Sequence, residues 1–436
     1  MTSEFFQTLP LENMVSIHDA ERIPVKKSDR KQGSYPYYGA SGITDYVHDY
    51  LFDGDYVLLA EDGDNLRSRN TPIAFMANGK FWVNNHAHIL KGKDDNNTDF
   101  ICYALQVADV TSYISGSTRP KITQKDMRKI PVFCPPKPQQ KAIAHILGTL
   151  DDKIELNRQM NASLEAMAQA LFKSWFVDFD PVIDNALAAG HSIPEPLHAR
   201  AEARKALGDK RNPLPDAIQK QFPSRFVFNE EMGWVPEGWG SGCFGDIATH
   251  VKDNIKAEEV RDYEFYVGLE HIGRKQIFLA ENGTGASIES NKSKFEVNDL
   301  LFGKLRPYFH KVCIAPQDGI CSTDILVFRS KHAETHSFII LTAFTEAFVE
   351  YANMRSTGTR MPRASVKDML NYSILIPPEK ILTAFDSIVS PLWNKGMESV
   401  KGNHELSKLR DTLLPKLLSG QLRIPDAEKL AEEALA

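Results

Sequence analysis

Residues 116–136 read GSTRPKITQKDMRKIPVFCPP, and residues 358–378 read GTRMPRASVKDMLNYSILIPP. The two stretches lie 242 residues apart and share 7 identities in 21 ungapped positions, whereas average residue usage gives about one. Self-similarity at a fixed separation is the signature of a structural unit that occurs more than once. The sequence therefore predicts an internal repeat, with two halves related by a pseudo-two-fold axis.

Length and composition are those of an ordinary multidomain globular protein. A chain of 436 residues is too long for one hydrophobic core, so two or more domains are expected. No apolar run approaches the roughly 20 residues of a membrane span, so no membrane partner is expected. The five cysteines form no CxxC pair, which argues against structural zinc. Their odd number, without a signal peptide, fits a reducing cytoplasm. The net charge of −6 still permits local basic patches.

A helical pattern follows each copy of the repeat, directly after a Pro-Pro pair that suits a first helical turn. Its apolar positions alternate in steps of four and three residues, which is the 3.5-residue period of a coiled coil. The predicted seam residues are Ile143, Leu147, Leu150, Ile154, Asn161, Leu164, Leu171 and Trp175 in the first half and Phe385, Val389, Leu392, Asn403, Leu406, Leu413 and Leu417 in the second. Asn161 and Asn403 fall at matching positions, where a polar residue fixes the register at a cost in stability. Two unrelated amphipathic helices are the alternative, but the shared spacing favours two helices that pair with each other.

Strand patterns occur at similar places in the two halves. Residues 55–63 and 299–312 each place apolar residues before a glycine turn, and residues 81–90 and 319–328 are each interpreted as the next strand. The fold class is therefore α+β, with two globular domains separated by two long helices. The predicted layout is a globular unit at 1–136, a long helix at 137–180, a connector at 181–235, a second globular unit at 236–376, a second long helix at 377–424 and a short acidic tail at 425–436.

Catalytic motifs are missing from the sequence. There is no GxxxxGKS/T phosphate loop, GxGxxG turn, GxSxG elbow or HExxH helix, no tetrapeptide of the adenine-methylating type, and no convincing nuclease core. His86 and His88 alternate onto one strand face and could suggest a metal pair. Without a third ligand nearby, satisfied strand histidines are favoured. No catalytic and no metal-binding residue is predicted, so the sequence indicates a recognition protein whose catalysis is supplied elsewhere.

Both copies of the repeat carry a basic cluster. Residues 113–129 contain five Lys or Arg against one Asp, and residues 355–367 contain four Lys or Arg and no acid. Solvated loop charge is the alternative interpretation, but the presence of a cluster in both copies favours binding to a polyanion.

Long phrases of the chain resemble the specificity (S) subunits of Type I restriction-modification systems. Residues 35–90 are similar to the first target-recognition domain of that family, and residues 265–272 (FYVGLEHI) and 300–312 (LLFGKLRPYFHKV) to the second. KSWFVDFDPV (173–182) and FNEEMGWVPEGWG (228–240) match the phrases that flank the family's connector. The first half lacks the PEGW phrase, which leaves open where the amino-terminal domain begins.

The resemblance implies a function and a set of partners. In this family, two target-recognition domains each read one part of a split, asymmetric site on double-stranded DNA. The two helices pair antiparallel and present docking surfaces for two methyltransferase (M) subunits, and restriction (R) subunits complete an ATP-dependent nuclease. S-adenosylmethionine belongs to the M subunits, and ATP and magnesium belong to the R subunits. No cofactor is therefore expected in this chain.

The resemblance also directs attention to the polar and basic residues of four loops as candidate DNA contacts. They are Arg67, Arg69, Ser117, Thr118, Arg119, Lys121 and Lys125 in the first half and Lys304, Arg306, Tyr308, Lys311, Thr359, Arg360, Arg363 and Lys367 in the second. Arginine and lysine suit either guanine or phosphate, and the sequence does not separate these roles.

Two other functions are weighed against this one. A stand-alone, non-catalytic DNA-binding regulator would share the basic loops, but it would not need a long coiled coil with exposed outer faces. A self-sufficient nuclease or methyltransferase would need catalytic motifs that the chain lacks. Recovery of a methyltransferase in a pull-down, and the activity of the chain alone, discriminate among the three.

Overall fold

The computed structural model describes residues 7–208, 214–358 and 360–435, apart from the side chain of Ser287. The candidate DNA contact Thr359 therefore lies outside the described residues. The chain divides into two compact units. Unit 1 comprises residues 1–155 and 404–436, and unit 2 comprises residues 156–403. Each unit thus contains one predicted globular domain and a part of each predicted long helix.

The described part of unit 1 contains two four-stranded sheets and one two-stranded sheet. The first four-stranded sheet has the order Val15–Ile17, Ala87–Gly92, Tyr56–Ala60, Ala74–Ala77, and the second has the order Gly42–Val47, Gln32–Gly39, Lys80–Val83, Phe52–Asp53. Gln7–Pro10 pairs antiparallel with Pro131–Cys134. The helices are Asn65–Ser68, Thr98–Val107, Gln124–Met127 and Ile424–Leu435.

The described part of unit 2 also contains two four-stranded sheets and one two-stranded sheet, and it adds a hairpin of Phe226–Asn229 with Gly233–Pro236. One four-stranded sheet has the order Ala248–His250, Ile325–Ser330, Leu300–Gly303, Val312–Ile314, and the other has the order Asn254–Ile255, Lys292–Phe295, Gly319–Cys321, Tyr266–Val267. Gly240–Cys243 pairs antiparallel with Ser373–Ile376. The helices are Asp180–Ala189, His198–Leu207, Asp216–Gln219, Phe244–Ile247, Ala257–Val260, His336–Phe344, Glu346–Met354 and Val366–Leu370.

The internal repeat is confirmed by the two strand orders. In each unit, an opening strand pairs with the strand that ends the repeated stretch. The strands of the first four-stranded sheet, numbered along the chain, lie in the order first, fourth, second, third in both units. The second of these strands, Tyr56–Ala60 in unit 1 and Leu300–Gly303 in unit 2, is called the central strand. The opening strand of unit 1 is Gln7–Pro10, which is the counterpart of Gly240–Cys243 although the PEGW phrase is missing before it. The α+β class with two related domains and two long helices is therefore correct.

The prediction of one strand at 81–90 and one at 319–328 is wrong, because each stretch forms two strands in different sheets. In unit 1 the chain turns at Asn84, whose side-chain oxygen accepts a hydrogen bond from the His86 backbone N–H at 2.7 Å. In unit 2 the Ser322 hydroxyl accepts from the Asp324 N–H at 3.2 Å. Such local side-chain bonds offer the backbone an alternative to a continuous strand.

The long helices are shorter than predicted. The first long helix is Lys137–Phe172, followed by a π-helical turn at Lys173–Val177, and the second long helix is Glu379–Leu418. Residues 425–436 are not a simple acidic tail, because Ile424–Leu435 is a helix with Ala427 and Ala431 buried in the core of unit 1. Their acidic composition hid an apolar stripe at helical spacing.

Most of the predicted seam residues belong to a hydrophobic core cluster of their unit or pack against one. In unit 1, Ile143, Leu147, Leu150, Ile154, Leu406, Leu413 and Leu417 lie in one core cluster, and in unit 2 Leu164, Leu171, Trp175, Phe385, Val389 and Leu392 lie in another. Within unit 2, the Asn157 side chain contacts Asn403 at 2.8 Å, and Trp175 contacts Phe385 with ring centroids 5.6 Å apart. The contacts advance along one helix as they recede along the other, so the helices are antiparallel.

Asn161 and Asn403 do not contact each other as partners in the seam. Asn161 donates to the Gly396 carbonyl at 3.2 Å, while Asn403 accepts from Asn157 at 2.8 Å. Matching positions of a two-fold repeat do not face each other along an antiparallel pair unless they lie at its centre. The polar layer is still present at the predicted residues, but Asn157 completes it.

Candidate nucleic-acid interface

In unit 1, the predicted loop forms a tight hairpin, Ser115–Lys121, here called the first hairpin. The backbones of Ser115 and Lys121 exchange two hydrogen bonds of 2.8 and 2.9 Å. Gly116 has φ +83°, and a Cβ at this position would lie 2.4 Å from the Arg119 carbonyl oxygen. Only glycine suits such a turn. The hairpin is attached to the residues after the central strand, since Gly63 donates to the Pro120 carbonyl at 3.0 Å.

Unit 2 contains an equivalent hairpin, here called the second hairpin, whose described residues are 357–358 and 360–363. The Thr357 and Arg363 backbones exchange hydrogen bonds of 3.1 and 2.9 Å, and Gly358 has φ +100°. The Arg306 N–H donates to the Pro362 carbonyl at 2.7 Å, as Gly63 donates to the matching proline of unit 1. The two hairpins are thus held by the same backbone bonds.

Two of the predicted DNA contacts are bonded to the backbone of unit 1. Arg67 donates to the Gly116 carbonyl at 2.7 Å and braces the first hairpin. Arg69 has φ +52° and donates to the Ala108 carbonyl at 2.8 Å and to the Gln106 carbonyl at 3.2 Å. Burial lowers the pKa of the Arg69 guanidinium. DNA contact by either arginine stays a prediction.

The remaining polar side chains of the first hairpin reach solvent. Ser117 and Thr118 are exposed at its tip. Arg119 is 66% exposed, and its Nη2 donates to Asp62 at 2.9 Å. Lys121 lies 3.0 Å from Glu61. Lys125, on the short helix after the hairpin, is exposed and makes no ion pair with any residue that the structure describes.

A buried polar network lies beneath the first hairpin. His88 Nδ1 is 2.6 Å from Asp19, and His88 Nε2 is 3.0 Å from the Ile122 carbonyl oxygen. Burial opposes ionisation of Asp19, but the hydrogen bond from His88 and neighbouring charges outweigh it and lower the pKa of Asp19. Arg22 donates to Glu61 at 2.7 Å. This bond and that of Lys121 likewise overcome burial and lower the pKa of Glu61.

The two histidines therefore have partners other than a metal. His86 is 2.9 Å from Asp62, and His88 contacts Asp19 as described above. No group of three or more His, Cys, Asp or Glu residues that could hold a metal occurs within residues 7–208, 214–358 and 360–435. The positions of both histidines fit structural and positioning roles.

In unit 2, one acid faces the cations at the base of the second hairpin. Asp324 accepts from Arg363 Nε at 3.1 Å and lies 3.8 Å from the Lys304 ammonium. Lys311 donates to the Leu269 carbonyl, and burial lowers the pKa of Lys311.

Arg306 and Tyr308 lie on the turn beside the second hairpin. Arg306 has φ +52°, and its guanidinium lies 5.9 Å from the centre of the Phe309 ring. Tyr308 is 53% exposed and contacts Phe309 edge to face at 4.8 Å. Arg360 and Lys367 are exposed and make no ion pair with a described residue. The exposed aromatic ring and the free cations of this region suit contact with a nucleic acid.

Sequence reasoning did not identify the acids that hold the cations. Asp62 and Glu61 are part of the AEDG turn before the first hairpin, and Asp324 follows Ser322 in unit 2. The signal was the presence of acids beside otherwise basic loops. It was hidden because Asp62 and Arg119 are 57 residues apart in the chain.

All five cysteines are unpaired, and Cys102, Cys313 and Cys321 are buried. Burial raises the pKa of the Cys321 thiol to about 12. Within the part of the chain that the structure describes, no helix combines the length and apolar character that a bilayer crossing requires.

The chain is similar in sequence to one protein family over most of its length. Residues 4–166 and 236–395 match the family model described as the type I restriction modification DNA specificity domain. The Type I restriction enzyme MjaIX specificity subunit of Methanocaldococcus jannaschii is 25% identical over 431 residues, which cover 90% of this chain and 88% of that protein. The EcoDI specificity subunit of Escherichia coli is 24% identical, covering 79% of this chain and 72% of that protein.

A solved structure shares the fold. The S subunit of a Type I restriction-modification system from M. genitalium superposes with a TM-score of 0.54, at 15% sequence identity, and the match covers 96% of this chain and 97% of that one. Each family match coincides with one copy of the repeated architecture, including its hairpin.

Proposed function

The chain belongs to the type I restriction modification DNA specificity family, and we propose on this premise that it is the DNA-recognition subunit of a Type I restriction-modification complex. Its two hairpins would each contact one half of a bipartite site on double-stranded DNA. The observation that carries the proposal is the occurrence of equivalent hairpins with exposed cations in both units. Because the loop residues differ between the hairpins, the two half-sites should differ in sequence.

The partners of the proposed subunit supply the chemistry. Two methyltransferase subunits would bring S-adenosylmethionine, and restriction subunits would bring ATP and magnesium, so this chain would be non-catalytic and would hold no cofactor. The methylated adenine would be flipped out of the duplex into a methyltransferase subunit. Cytoplasmic location is part of the proposal and is supported by the five unpaired cysteines.

An exposed apolar stripe on the first long helix supports a docking role. Leu156 is 60% exposed and Met167 is 58% exposed. They are 11 residues apart, close to three full helical turns, so they lie on one face of the helix. A protein partner that covered this face would bury both apolar side chains. We assign this face to contact with a methyltransferase subunit.

The proposal is tested by purification and methylome sequencing. The tagged chain should copurify with a methyltransferase, and deletion of its gene should remove adenine methylation at one bipartite motif in the host genome. Leu156→Glu combined with Met167→Glu should release the methyltransferase. Gln169→Glu, at an exposed position of the same helix about 200° around it from Met167, provides the surface control. Copurification of no methyltransferase would favour the stand-alone regulator. Methyl transfer or cleavage by the purified chain alone would contradict a non-catalytic role.

A further inference from the structure

We propose that the two carboxylate-held arginines, Arg119 in unit 1 and Arg363 in unit 2, read base edges, whereas the exposed cations without an ion pair contact phosphates. The inference rests on the proposed function and deepens it by dividing the candidate residues into two roles. Guanine is the base that suits each of these arginines, because its major-groove edge carries two acceptors.

The two acids lie at the same edge of the first four-stranded sheet of their units, where the central strand ends and the last strand begins, but next to different strands. Asp62 follows the central strand of unit 1 and accepts from Arg119 at 2.9 Å. Asp324 directly precedes Ile325–Ser330, the last strand of the corresponding sheet of unit 2, and accepts from Arg363 Nε at 3.1 Å. Within its own unit, each acid is less exposed than its arginine, at 12% against 66% and at 28% against 47%. Each acid is thus the more buried partner of its pair, and each guanidinium is the more exposed one.

A held guanidinium is suited to reading bases because its direction is fixed before binding. A free arginine or lysine loses rotamer entropy when it is ordered. A carboxylate that already binds one N–H orients the remaining donors of the planar fork. Arg363 uses Nε for Asp324, so both terminal nitrogens remain for a two-point contact. Arg119 uses Nη2 for Asp62 at 2.9 Å, and the same nitrogen lies 3.4 Å from His86 Nδ1, so Nη1 keeps both of its hydrogens for a base.

The carboxylate also removes much of the sequence-independent attraction. Binding to phosphate depends on uncompensated positive charge and on counterion release. Asp62 compensates Arg119, and Asp324 compensates Arg363. The exposed side chains of Lys125, which follows the first hairpin, and of Arg360, which lies within the second, have no such acid among the described residues. Their charges are therefore available to the DNA backbone.

The two arginines are not at matching positions of their hairpins. Lys121 of unit 1 matches Arg363, and Met361 of unit 2 matches Arg119, because the repeat is offset by 242 residues. The arginine that is held by a carboxylate therefore occupies a different position of the hairpin in each unit. Each half-site should then contain a guanine contact at a different distance from the hairpin base.

The test uses the complete complex and five single variants. Methylome sequencing of the wild type gives the sequence of the recognised site, and a duplex with that sequence is synthesised. Binding of each complex is measured to this duplex and to duplexes in which each base pair in turn is replaced, at several salt concentrations. Arg119→Lys and Arg363→Lys keep the charge but lose the fork. Lys125→Ala and Arg360→Ala remove free cations. Thermal melting of each complex checks that the fold is intact.

We expect different results from the variants of the held arginines and the variants of the free cations. Arg119→Lys should reduce discrimination at one guanine–cytosine pair of one half-site roughly 10-fold and leave the salt dependence unchanged, and Arg363→Lys should do the same in the other half-site. Lys125→Ala and Arg360→Ala should weaken all duplexes alike and lower the slope of log K against log salt by about 1. Asp62→Asn, which leaves Arg119 in place, should reduce discrimination at the same base pair as Arg119→Lys.

Two outcomes overturn the inference while the proposed function stands. One is full discrimination at every position by both lysine variants in a complex that binds and methylates normally. The other is a change of base preference, rather than uniform weakening, in Lys125→Ala or Arg360→Ala. If the wild-type complex binds no bipartite site, the proposed function fails and the inference fails with it.

Discussion

Glu165 illustrates how one side chain attaches the first long helix to the globular part of unit 2. Its carboxylate accepts from the backbone N–H groups of Ile277 and Phe278 at 2.9 and 3.0 Å. The side chain is buried, and burial raises the pKa of Glu165 in spite of these two bonds. The charged form is therefore less favourable in the folded protein than in the unfolded chain.

Glu165→Gln should stabilise unit 2 at neutral pH by up to about 1 kcal/mol, because the amide oxygen can accept the same bonds without a buried charge. A folded pKa above the unfolded value gives stability that is complete below about pH 4.3 and is lost as the pH rises through the folded pKa. The gain should consequently vanish in acid. Urea unfolding between pH 4 and pH 8 measures it, with exposed Glu398→Gln as the control. A variant less stable than wild type at pH 7 would contradict this account.

Gly396 marks a close approach between the second long helix and the same segment. A Cβ at Gly396 would lie 2.0 Å from the Phe278 ring. Phe278 is 5% exposed and contacts Trp393 at 5.9 Å between ring centroids, so its ring has little room to move. The helix therefore needs glycine here for packing.

Gly396→Ala should destabilise unit 2 by about 1–3 kcal/mol, as overpacking does elsewhere. Gly402 provides a matched control on the same helix, since a Cβ there meets nothing within 4 Å. Gly402→Ala should stabilise the helix by about 0.5–1 kcal/mol, because alanine loses less entropy than glycine. Chemical denaturation of the two variants gives the comparison. Equal effects of the two substitutions would show that Phe278 does not fix the packing.

The helices of the connector are held together by a buried carboxylate. Asp180 is 2% exposed, receives two hydrogen bonds of 2.6 Å from Arg200 and accepts from the Ser174 hydroxyl at 2.8 Å. Burial opposes ionisation, but the bonds from Arg200 and Ser174 and nearby charges lower the pKa of Asp180. The helices Asp180–Ala189 and His198–Leu207 are thereby joined.

Asp180→Asn should cost about 2 kcal/mol, less than for a fully buried pair because Arg200 is partly exposed. A lowered folded pKa gives stability that is present above the unfolded pKa of about 3.9 and is lost as the pH falls through the folded pKa. The penalty should thus be full at pH 7 and shrink in acid. Thermal melting at pH 7 and pH 3 measures it, and exposed Asp216→Asn is the control. An equal penalty at both pH values would mean that charge is not its source.

The sequence predicts the elements better than their partners. The repeated stretch and the 3.5-residue period suffice for two related domains and two paired helices. Periodicity does not show that the chain passes from one sheet to the other at Asn84, because the strands on both sides of this residue are apolar. It also cannot distinguish Arg69, which turns toward backbone carbonyls at φ +52°, from Arg119, which is held at the surface by Asp62. Those differences arise from contacts between distant segments.

At the scale of the whole molecule, each globular domain begins and ends on one pair of strands. Gly240–Cys243 pairs with Ser373–Ile376 in unit 2, and Gln7–Pro10 pairs with Pro131–Cys134 in unit 1. The chain therefore enters and leaves each domain on two neighbouring strands, and a long helix begins directly after the strand on which it leaves. An insertion with its ends side by side can be exchanged without rerouting the rest of the chain.

Exchange of residues 236–376 for the corresponding domain of another family member should change one half of the methylated site and leave the other half intact. Both paired strands move together, so their hydrogen bonds are preserved in the chimera. The donor must carry an aromatic residue of similar size at the position of Phe278, because Gly396 and Glu165 of the retained helices contact that segment.

Methylome sequencing of cells that express the chimera reads both half-sites at once. The reciprocal exchange of residues 1–136 is the matched control and should change the other half. A chimera with Phe278 replaced by a small residue should fold less stably but recognise the same two half-sites, because the defect lies at the helix contact and not at the second hairpin. A change in both half-sites after a single exchange would show that the two units do not read DNA independently.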